Sequence, residues 1–325
     1  MKINESEILT AFCNRVIAGE KRAISRAITL IESSHPFAET LLSRLYGKTG
    51  SAYRIGITGP PGAGKSSITN QIAKSIRQFG KKAAIIAVDP TSPFTGGALL
   101  GDRIRMSDIG TDDGIFIRSM ATRGSLGGLS TKAQDTADIL DAAGYDYIIF
   151  ETVGVGQSEL DIVKATDSVI VTLVPESGDS IQAMKAGLME IADIYVVNKS
   201  DRQGAEQAVI AIQAMLMIRD HNIYTWIPEV IKTIATENKG IPELIAEIYR
   251  HRLHLYEKEI FFRKRYERNQ DRIKEIVREK LLADAWQSDR IALLMNEQEH
   301  KEDTVPLSPY HYAEIIIGEY KKGSN

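Results

Sequence analysis

Short apolar runs alternate along this chain with stretches in which apolar residues recur every three or four positions. The runs are rich in isoleucine and valine and predict β-strands, whereas the spaced stretches between them predict helices. Strands that alternate with helices in this way form a sheet covered on both faces, so we predict an α/β fold with a doubly wound, mostly parallel sheet. The expected strands are residues 54–58, 83–88, 114–118, 147–151, 168–174, 194–198 and 229–233.

Helical spacing also dominates the N-terminal region, where the pattern breaks at His35-Pro36. We expect a pair of helices there that pack on the main domain as a helical N-terminal extension, residues 1–50. The α/β domain is expected to cover residues 51–250.

The C-terminal region differs, because after Pro242 no proline occurs until Pro306 and no glycine until Gly318. This predicts a long helical segment, and residues 251–325 are expected to form a helical arm. An apolar stripe on a densely charged helix is typical either of a solvated face or of pairing with another subunit. The stripe consists of Ile273, Ile276, Val277, Leu281 and Ala285.

Composition limits the classes of binding partner and the cellular compartment that we expect for this protein. The net charge of −3 over 325 residues gives no general reason to expect nucleic acid or an anionic membrane as a partner. Cys13 is the single cysteine, so an internal disulfide is excluded, and no Cys/His cluster has the spacing of zinc ligands. The sequence shows neither a signal or transit pattern nor an apolar stretch of membrane-spanning length, so we expect a cytoplasmic protein.

Candidate chemistry begins at residues 59–66, which read Gly-Pro-Pro-Gly-Ala-Gly-Lys-Ser between a predicted strand and a predicted helix. In that context small residues let backbone N–H groups surround phosphates, and the helix N-terminus adds a favourable dipole. Lys65 is expected to reach the terminal phosphates, and the Ser66 hydroxyl is expected to bind Mg²⁺. A nucleotide is therefore expected on Gly59, Pro60, Pro61, Gly62, Ala63, Gly64, Lys65, Ser66 and Ser67.

A second polar motif, Asn198-Lys199-Ser200-Asp201, directly follows an apolar run. Its side chains are expected at the carboxyl end of a strand, where doubly wound sheets bind ligands. The Asp201 carboxylate can accept hydrogen bonds from the two adjacent N–H donors of guanine, a pair that adenine lacks. Asn198, Lys199 and Asp201 therefore favour GTP over ATP.

Two further strands end in carboxylates. Glu151 follows the apolar run 147–150 and Asp89 follows the run 84–88, so both are expected at the same edge of the sheet. Carboxylate oxygens are suitable ligands for Mg²⁺. The N–H of Gly154, three residues after Glu151, is expected to meet the γ-phosphate.

Between these motifs, residues 96–128 hold eight glycines together with Asp102 and Arg105. A long glycine-rich tract is typical of a surface loop or of a functional switch, and we favour a switch. Asp102 is expected to complete the metal site. Arg105 is expected either to meet charge that develops during hydrolysis or to form a structural ion pair.

Together these motifs resemble the MeaB/ArgK-type GTPases, also called LAO/AO transport ATPases, which are G-protein chaperones of adenosylcobalamin-dependent acyl-CoA mutases. The resemblance rests on residues 59–66, 88–92, 100–106, 151–159 and 198–201. It includes a glutamate at position 151, where most GTPases have aspartate. It also extends to both helical ends of the chain.

The resemblance implies that Lys65, Ser66, Asp89, Asp102 and Glu151 hold phosphate and Mg²⁺, and that Asn198, Lys199 and Asp201 hold guanine. It also implies a mobile segment at residues 178–187 that responds to the partner, with Lys185 as a candidate switch contact. The chain departs from the family's frequent Ser-Ala pair by reading Thr-Ile-Ala-Thr at residues 233–236, where the Ala235 N–H is expected to meet the base oxygen. The residues expected to act in hydrolysis are Lys65, Asp102, Arg105, Glu151, Gly154 and Lys185.

The function implied by the resemblance is that of a Mg²⁺-dependent, GTP-hydrolysing switch that forms a homodimer through its C-terminal arm. It binds a mutase of the methylmalonyl-CoA mutase type, gates the loading of the cobalamin cofactor and protects the enzyme. No cobalamin-binding Asp-x-His-x-x-Gly motif occurs here, so the cobalamin is expected on the partner.

Two alternative functions are considered. A nickel-insertion GTPase needs a Cys/His metal site, which this sequence lacks. A transport-linked ATPase or kinase would use the same phosphate loop with ATP, and Asp201 argues against that nucleotide.

Overall fold

A single parallel sheet forms the centre of the protein. The structure, a computed structural model, describes residues 5–90, 109–122, 131–152, 158–175, 187–218, 225–287, 291, 293, 295 and 308–323. The strands are β1 Tyr53–Thr58, β2 Ala83–Pro90, β3 Ile115–Thr122, β4 Tyr147–Thr152, β5 Ser168–Leu173, β6 Ile194–Asn198 and β7 Val230–Thr233. Their order across the sheet is β3-β2-β4-β1-β5-β6-β7, and every strand pair is parallel. The predicted fold class is confirmed.

Helices cover both faces of this sheet. In chain order, the helices of the described residues are α1 Glu5–Ile17, α2 Lys21–Glu32, α3 Ala38–Leu45, α4 Lys65–Gln78, α5 Thr131–Ala142, α6 Ser158–Ala165, α7 Leu188–Ile191, α8 Ala205–Met217 and α9 Ile241–Glu257, followed in the C-terminal region by α10 Ile260–Gln287 and α11 Pro309–Gly323. Short 3₁₀ turns occupy Tyr46–Lys48 and Ala235–Glu237. The break expected at His35-Pro36 separates α2 from α3, so the N-terminal region holds three helices where a pair was predicted.

Side chains of the strands alternate between two apolar cores, because successive residues of a strand point to opposite faces. In β4, Ile149 enters one core, whereas Ile148 and Phe150 enter the other. Helices α4 and α9 close the first core. Helices α1, α2, α3 and α5 pack on the second, so the N-terminal helices contribute to the core beside the sheet.

The start of β1 is fixed by one buried carboxylate. Asp141 accepts hydrogen bonds from the backbone N–H groups of Gly50, Ser51 and Ala52 at 2.8, 3.1 and 2.9 Å. Arg54, two residues further on, forms an ion pair with Asp138 at 2.7 Å. Both acidic residues lie on α5, so this helix sets where β1 begins and hence where the loop after β1 emerges.

Polar side chains are also buried where the strands begin, at the amino edge of the sheet. The Tyr53 hydroxyl of β1 lies 2.5 Å from the Ser168 hydroxyl of β5. That hydroxyl lies 2.6 Å from Nδ1 of His251 on α9, and His251 Nε2 lies 3.4 Å from an oxygen of Asp193. Three of the four residues are almost completely buried, and we call this set the amino-edge network. It connects α9 to two strands.

The tract 96–128, for which we favoured a switch, contains the strand predicted at residues 114–118. Residues 115–122 form β3, an edge strand paired with β2. The apolar side chains of Ile115 and Phe116 are buried, and burial of this kind overrides the high glycine content of the flanking residues. The strand predicted at residues 114–118 is therefore present as β3, and it divides the glycine-rich tract.

The C-terminal segment was predicted as one long helical stretch. As far as residue 287 it consists of two helices, α9 and α10. Glu259 adopts a left-handed backbone with φ 57° and separates α9 from α10 without glycine or proline. The chain divides into two compact units, residues 1–264 and 265–325. In the second unit, Ile273, Val277 and Leu281 of the predicted stripe are about half exposed. Across the described residues, no helix is both long enough and apolar enough to cross a membrane.

Candidate functional site

The phosphate loop lies between β1 and α4, as the sequence predicted. Gly59 has φ 137° and Gly64 has φ 88°, in the left-handed region that favours glycine. A Cβ atom on Gly59 would lie 2.0 Å from the carbonyl oxygen of Thr172, and one on Gly64 would lie 2.3 Å from Nδ2 of Asn198. Close packing against two strand ends therefore requires glycine at both positions.

Lys65 is the first residue of α4 and is buried. Its ammonium group donates hydrogen bonds to the carbonyl oxygens of Gly59 at 2.8 Å and Pro60 at 3.0 Å. The positive charge is thus held against the loop, beside the positive end of the α4 dipole. Phosphate oxygens bound there would meet both charges.

Ser66 and Glu151 form the pair expected to hold Mg²⁺. The Ser66 hydroxyl donates to Oε1 of Glu151, which lies at the end of β4, and the two oxygens are 2.5 Å apart. A hydroxyl and a carboxylate are oxygen ligands of the kind that Mg²⁺ prefers, so the donor set fits this ion. In the ranges that the structure describes, no group of three or more His, Cys, Asp or Glu side chains offers another metal site.

Asp89 lies on β2, the strand next to β4. The register pairs Ala87 with Glu151 and Val88 with Thr152, so the backbone of Asp89 continues along the carboxyl edge that carries Glu151. The role of Asp89 as a metal ligand stays a prediction. The predicted site residues Asp102, Arg105, Gly154 and Lys185 lie outside the described residues, as do residues 178–186 of the predicted mobile segment.

Asn198 ends β6 and joins the two predicted motifs. Its Nδ2 donates to the carbonyl oxygen of Ala63 in the phosphate loop at 2.8 Å. Its Oδ1 accepts from the Thr233 hydroxyl at 3.0 Å and from the Ala235 N–H at 3.1 Å. The side chain is almost completely buried, and it uses the donor and the acceptor of its amide at once. Asparagine is therefore suited to this position.

Lys199 and Asp201 follow in the turn after β6. Lys199 has φ 57°, and its ammonium group donates to the carbonyl oxygen of Gly62 at 2.8 Å. Asp201 is exposed. The pKa of Lys239 is raised, first by its hydrogen bond to Glu237 and also by the charges of Glu237 and Asp201. Lys239 is thus a cation near Asp201 that the sequence analysis did not single out.

Ala235 begins the 3₁₀ turn after β7 and lines the cleft. Its N–H, expected to meet the base, donates instead to Asn198. Its carbonyl oxygen accepts from Nε2 of Gln71 on α4 at 2.9 Å. The turn is therefore held from two sides by amide side chains.

The phosphate loop, one face of α4, the end of β4, Lys199 and the turn at Ala235 line one cleft of about 850 Å³ at the carboxyl edge of the sheet. This volume lies within the range of about 300–1,000 Å³ that is usual for ligand pockets. Residues that the sequence analysis had not named also line it, and several of them form one polar face of α4 at helical spacing. That spacing was the signal available in the sequence for Asn70, Gln71 and Lys74.

Comparison with known proteins identifies the family. The sequence profile described as methylmalonyl-CoA mutase-associated GTPase MeaB matches residues 24–290. A putative GTPase of Pyrococcus horikoshii is 45% identical over 310 residues, which cover 93% of this chain and 95% of that protein. The mitochondrial methylmalonic aciduria type A homolog of Caenorhabditis elegans is 33% identical over 253 residues, 72% of this chain and 63% of that protein.

A solved structure agrees with these sequences. The crystal structure of a protein named LAO/AO transport system kinase superposes with a TM-score of 0.74 at 27% identity, and the match covers 99% of this chain and 100% of that one. The fold, the phosphate loop and the profile thus agree over most of the chain. This protein belongs to the MeaB family of P-loop GTPases, as the resemblance in its motifs had indicated.

Proposed function

We propose that this protein is a GTP-hydrolysing switch that binds an adenosylcobalamin-dependent acyl-CoA mutase of the methylmalonyl-CoA mutase type. In this proposal the nucleotide state gates loading of the cobalamin cofactor and protects the mutase. The observation that carries the proposal is the profile match over residues 24–290, because its description names this mutase. The name of the C. elegans relative refers to the same metabolite class.

The cleft supports distinct roles for its two ends. We assign the phosphates to residues 59–67, with the Lys65 ammonium moving from the loop carbonyls to the stronger acceptors of the terminal phosphates. We assign the base to Asp201, while Asn198 and Lys199 hold the surrounding backbone and Ala235 forms the wall. Asn198 supports this arrangement because it is hydrogen-bonded to both ends.

We assign Mg²⁺ to Ser66 and Glu151, together with Asp89 and Asp102. When bound, the ion would supply positive charge beside the terminal phosphates. Hydrolysis breaks the bond between the β- and γ-phosphates as water attacks, so negative charge shifts toward the leaving β-phosphate. Lys65 and the backbone N–H groups of the loop stabilise that charge. Arg105, Gly154 and Lys185 remain candidates for contacts to the γ-phosphate.

Guanine specificity is tested by calorimetry with GDP and ADP. We expect GDP to bind at least about a hundredfold more tightly, since adenine leaves the Asp201 carboxylate without its two donors. Asp201→Asn presents an amide that can donate to the 2-carbonyl of xanthine, so this variant should prefer xanthosine diphosphate to GDP. Comparable affinities of the wild type for GDP and ADP would contradict the proposal and favour an ATP-dependent kinase, the activity for which the similar solved protein is named.

The partner is tested with purified methylmalonyl-CoA mutase and this chain in analytical ultracentrifugation. The GDP state and a non-hydrolysable GTP state are compared, because a switch must bind its partner differently in the two states. The same runs without mutase report whether the 36.0 kDa chain forms the proposed homodimer. Absence of a complex in both nucleotide states would reject the mutase as partner and leave the GTPase assignment intact.

A further inference from the structure

A second cavity lies in the first unit, between α4 and α9. Its volume is about 480 Å³, which is the size of a small-molecule pocket. Its floor is apolar and fully buried at Ile55 and Ile72, and the side chains of Ile76 and Ile245 extend the apolar walls. A cavity with a closed apolar floor suits the hydrocarbon or aromatic part of a ligand.

Arg252 of α9 places a positive charge at this cavity. Its guanidinium carbon lies 5.0, 5.8 and 5.7 Å from the ring centroids of Tyr53, Tyr147 and Tyr256. One guanidinium nitrogen donates to the Tyr147 hydroxyl at 3.2 Å. Among the residues that the structure describes, no carboxylate lies within ion-pair distance of Arg252. Lys81, the other cation at the rim, is paired with Asp146 at 3.1 Å.

A partly buried guanidinium among aromatic rings is oriented but not neutralised. Tyrosine faces and a hydroxyl stabilise the cation, yet they leave donors of its planar fork for a carboxylate, the geometry that guanidinium matches best. The charge of Arg252 and the apolar floor therefore complement two parts of one ligand, an anionic group and a hydrophobic body.

This cavity is separate from the nucleotide cleft. Tyr53 and Tyr147 are the first residues of β1 and β4, whereas the cleft lies where these strands end. Helix α4 reaches both sites, since Lys65 at its first turn lines the cleft and Ile76 near its last turn lines the cavity. A ligand in the cavity would thus touch a helix that also forms the phosphate site.

We propose that this cavity binds a small amphipathic carboxylate, with its hydrocarbon body between α4 and α9 and its carboxylate on Arg252. The inference is independent of the mutase proposal. A second copy of the chain is the alternative occupant, because Phe79 and Tyr249 at the rim are largely exposed. The enclosed floor and the charge of Arg252 favour the small molecule.

The test is calorimetry of the full chain, saturated with GDP, against octanoate and 1-octanol as probes. Octanoate should bind at one site, and the uncharged 1-octanol should bind at least about tenfold more weakly, since a charge-assisted hydrogen bond is lost. Arg252→Met should weaken octanoate binding by a similar factor, and Arg252→Lys should restore part of it. Arg22→Met, which removes an exposed arginine from α2, is the matched control and should leave octanoate affinity unchanged.

A second variant tests the cavity without touching the charge. Ala246 is exposed and lines the cavity, so Ala246→Trp should fill it and abolish octanoate binding while the chain stays folded. The inference is overturned if octanoate does not bind, or if Arg252→Met and Ala246→Trp both bind it as the wild type does. Failure of octanoate to bind, combined with weakened self-association of Ala246→Trp, would instead assign the surface to a second copy of the chain.

Discussion

The two edges of the central sheet both carry buried polar side chains, but they use them differently. At the amino edge, Tyr53, Ser168 and His251 make hydrogen-bonding contacts with one another. At the carboxyl edge, Lys65 and Glu151 border a cleft of about 850 Å³. Buried polar groups need partners, and a closed network provides them within the protein, whereas groups along a cleft can exchange theirs for a ligand. Access to a cleft, rather than burial or polarity, thus distinguishes the candidate active site from a structural network.

The strongest test of this contrast is Lys65→Ala at the carboxyl edge. Loss of the ammonium should reduce GTP turnover about a thousandfold, since a preorganised charge at a reacting group contributes this much. A phosphate-release assay measures turnover, and circular dichroism should show an unchanged fold. The control Lys48→Ala removes an exposed lysine from the 3₁₀ turn that precedes β1 and should have no effect. Undiminished turnover of Lys65→Ala would refute the assigned role.

The matching test at the amino edge concerns the pH dependence of stability. Burial lowers the pKa of His251 to about 4 from its ordinary value of 6.5, so the folded protein keeps this ring neutral. The unfolded chain binds the proton first as the pH falls. The stabilisation is therefore complete above pH 6.5 and is lost progressively toward about pH 4, by at most about 3 kcal/mol.

The control for this prediction is His251→Leu, which should lose the contribution of this residue to the pH slope. Asp193 and Asp167 near the ring oppose the lowering of its pKa, whereas Lys264 and His254 add to it. Urea unfolding between pH 4 and 8 measures the slope, and GDP affinity at pH 8 should match the wild type. An unchanged slope in His251→Leu would show that other groups set the pH dependence.

The smallest effect is expected from two glycine-to-alanine variants in the phosphate loop. Comparing them distinguishes backbone strain from a steric contact. Gly62 and Gly64 both have left-handed backbones, but a Cβ atom would meet open space at Gly62 and Nδ2 of Asn198 at Gly64. Each alanine variant should lose about 1–2 kcal/mol of stability from strain alone. Gly64→Ala should also weaken GDP binding about tenfold, because it displaces an amide that holds both ends of the cleft. Equal GDP affinities of the two variants would mean that Asn198 does not tie the ends together.

Sequence predicted the parts of this protein that depend on local pattern. All seven strands were found because each is an apolar run, and the phosphate loop was found because its residues are contiguous. The amino-edge network was not predicted, since its residues lie at positions 53, 168, 193 and 251 and meet only through the strand order. The break at Glu259 was also missed, because neither glycine nor proline marks it. The contact of Gln71 with Ala235 depends on the packing of α4 beside β7, which local pattern does not report.

The amide side chain of Asn198 limits which substitutions the nucleotide cleft can accept. Asn198 is hydrogen-bonded to Ala63 in the phosphate loop and to Ala235 in the turn after β7, so any substitution there alters both parts of the cleft together. Asp201 is exposed and stands outside those hydrogen bonds. Under the role proposed for Asp201, a substitution there can change the base preference without altering the phosphate loop, whereas a substitution of Asn198 cannot. Asp201 can therefore be substituted by itself, whereas the two parts of the cleft joined by Asn198 can change only together.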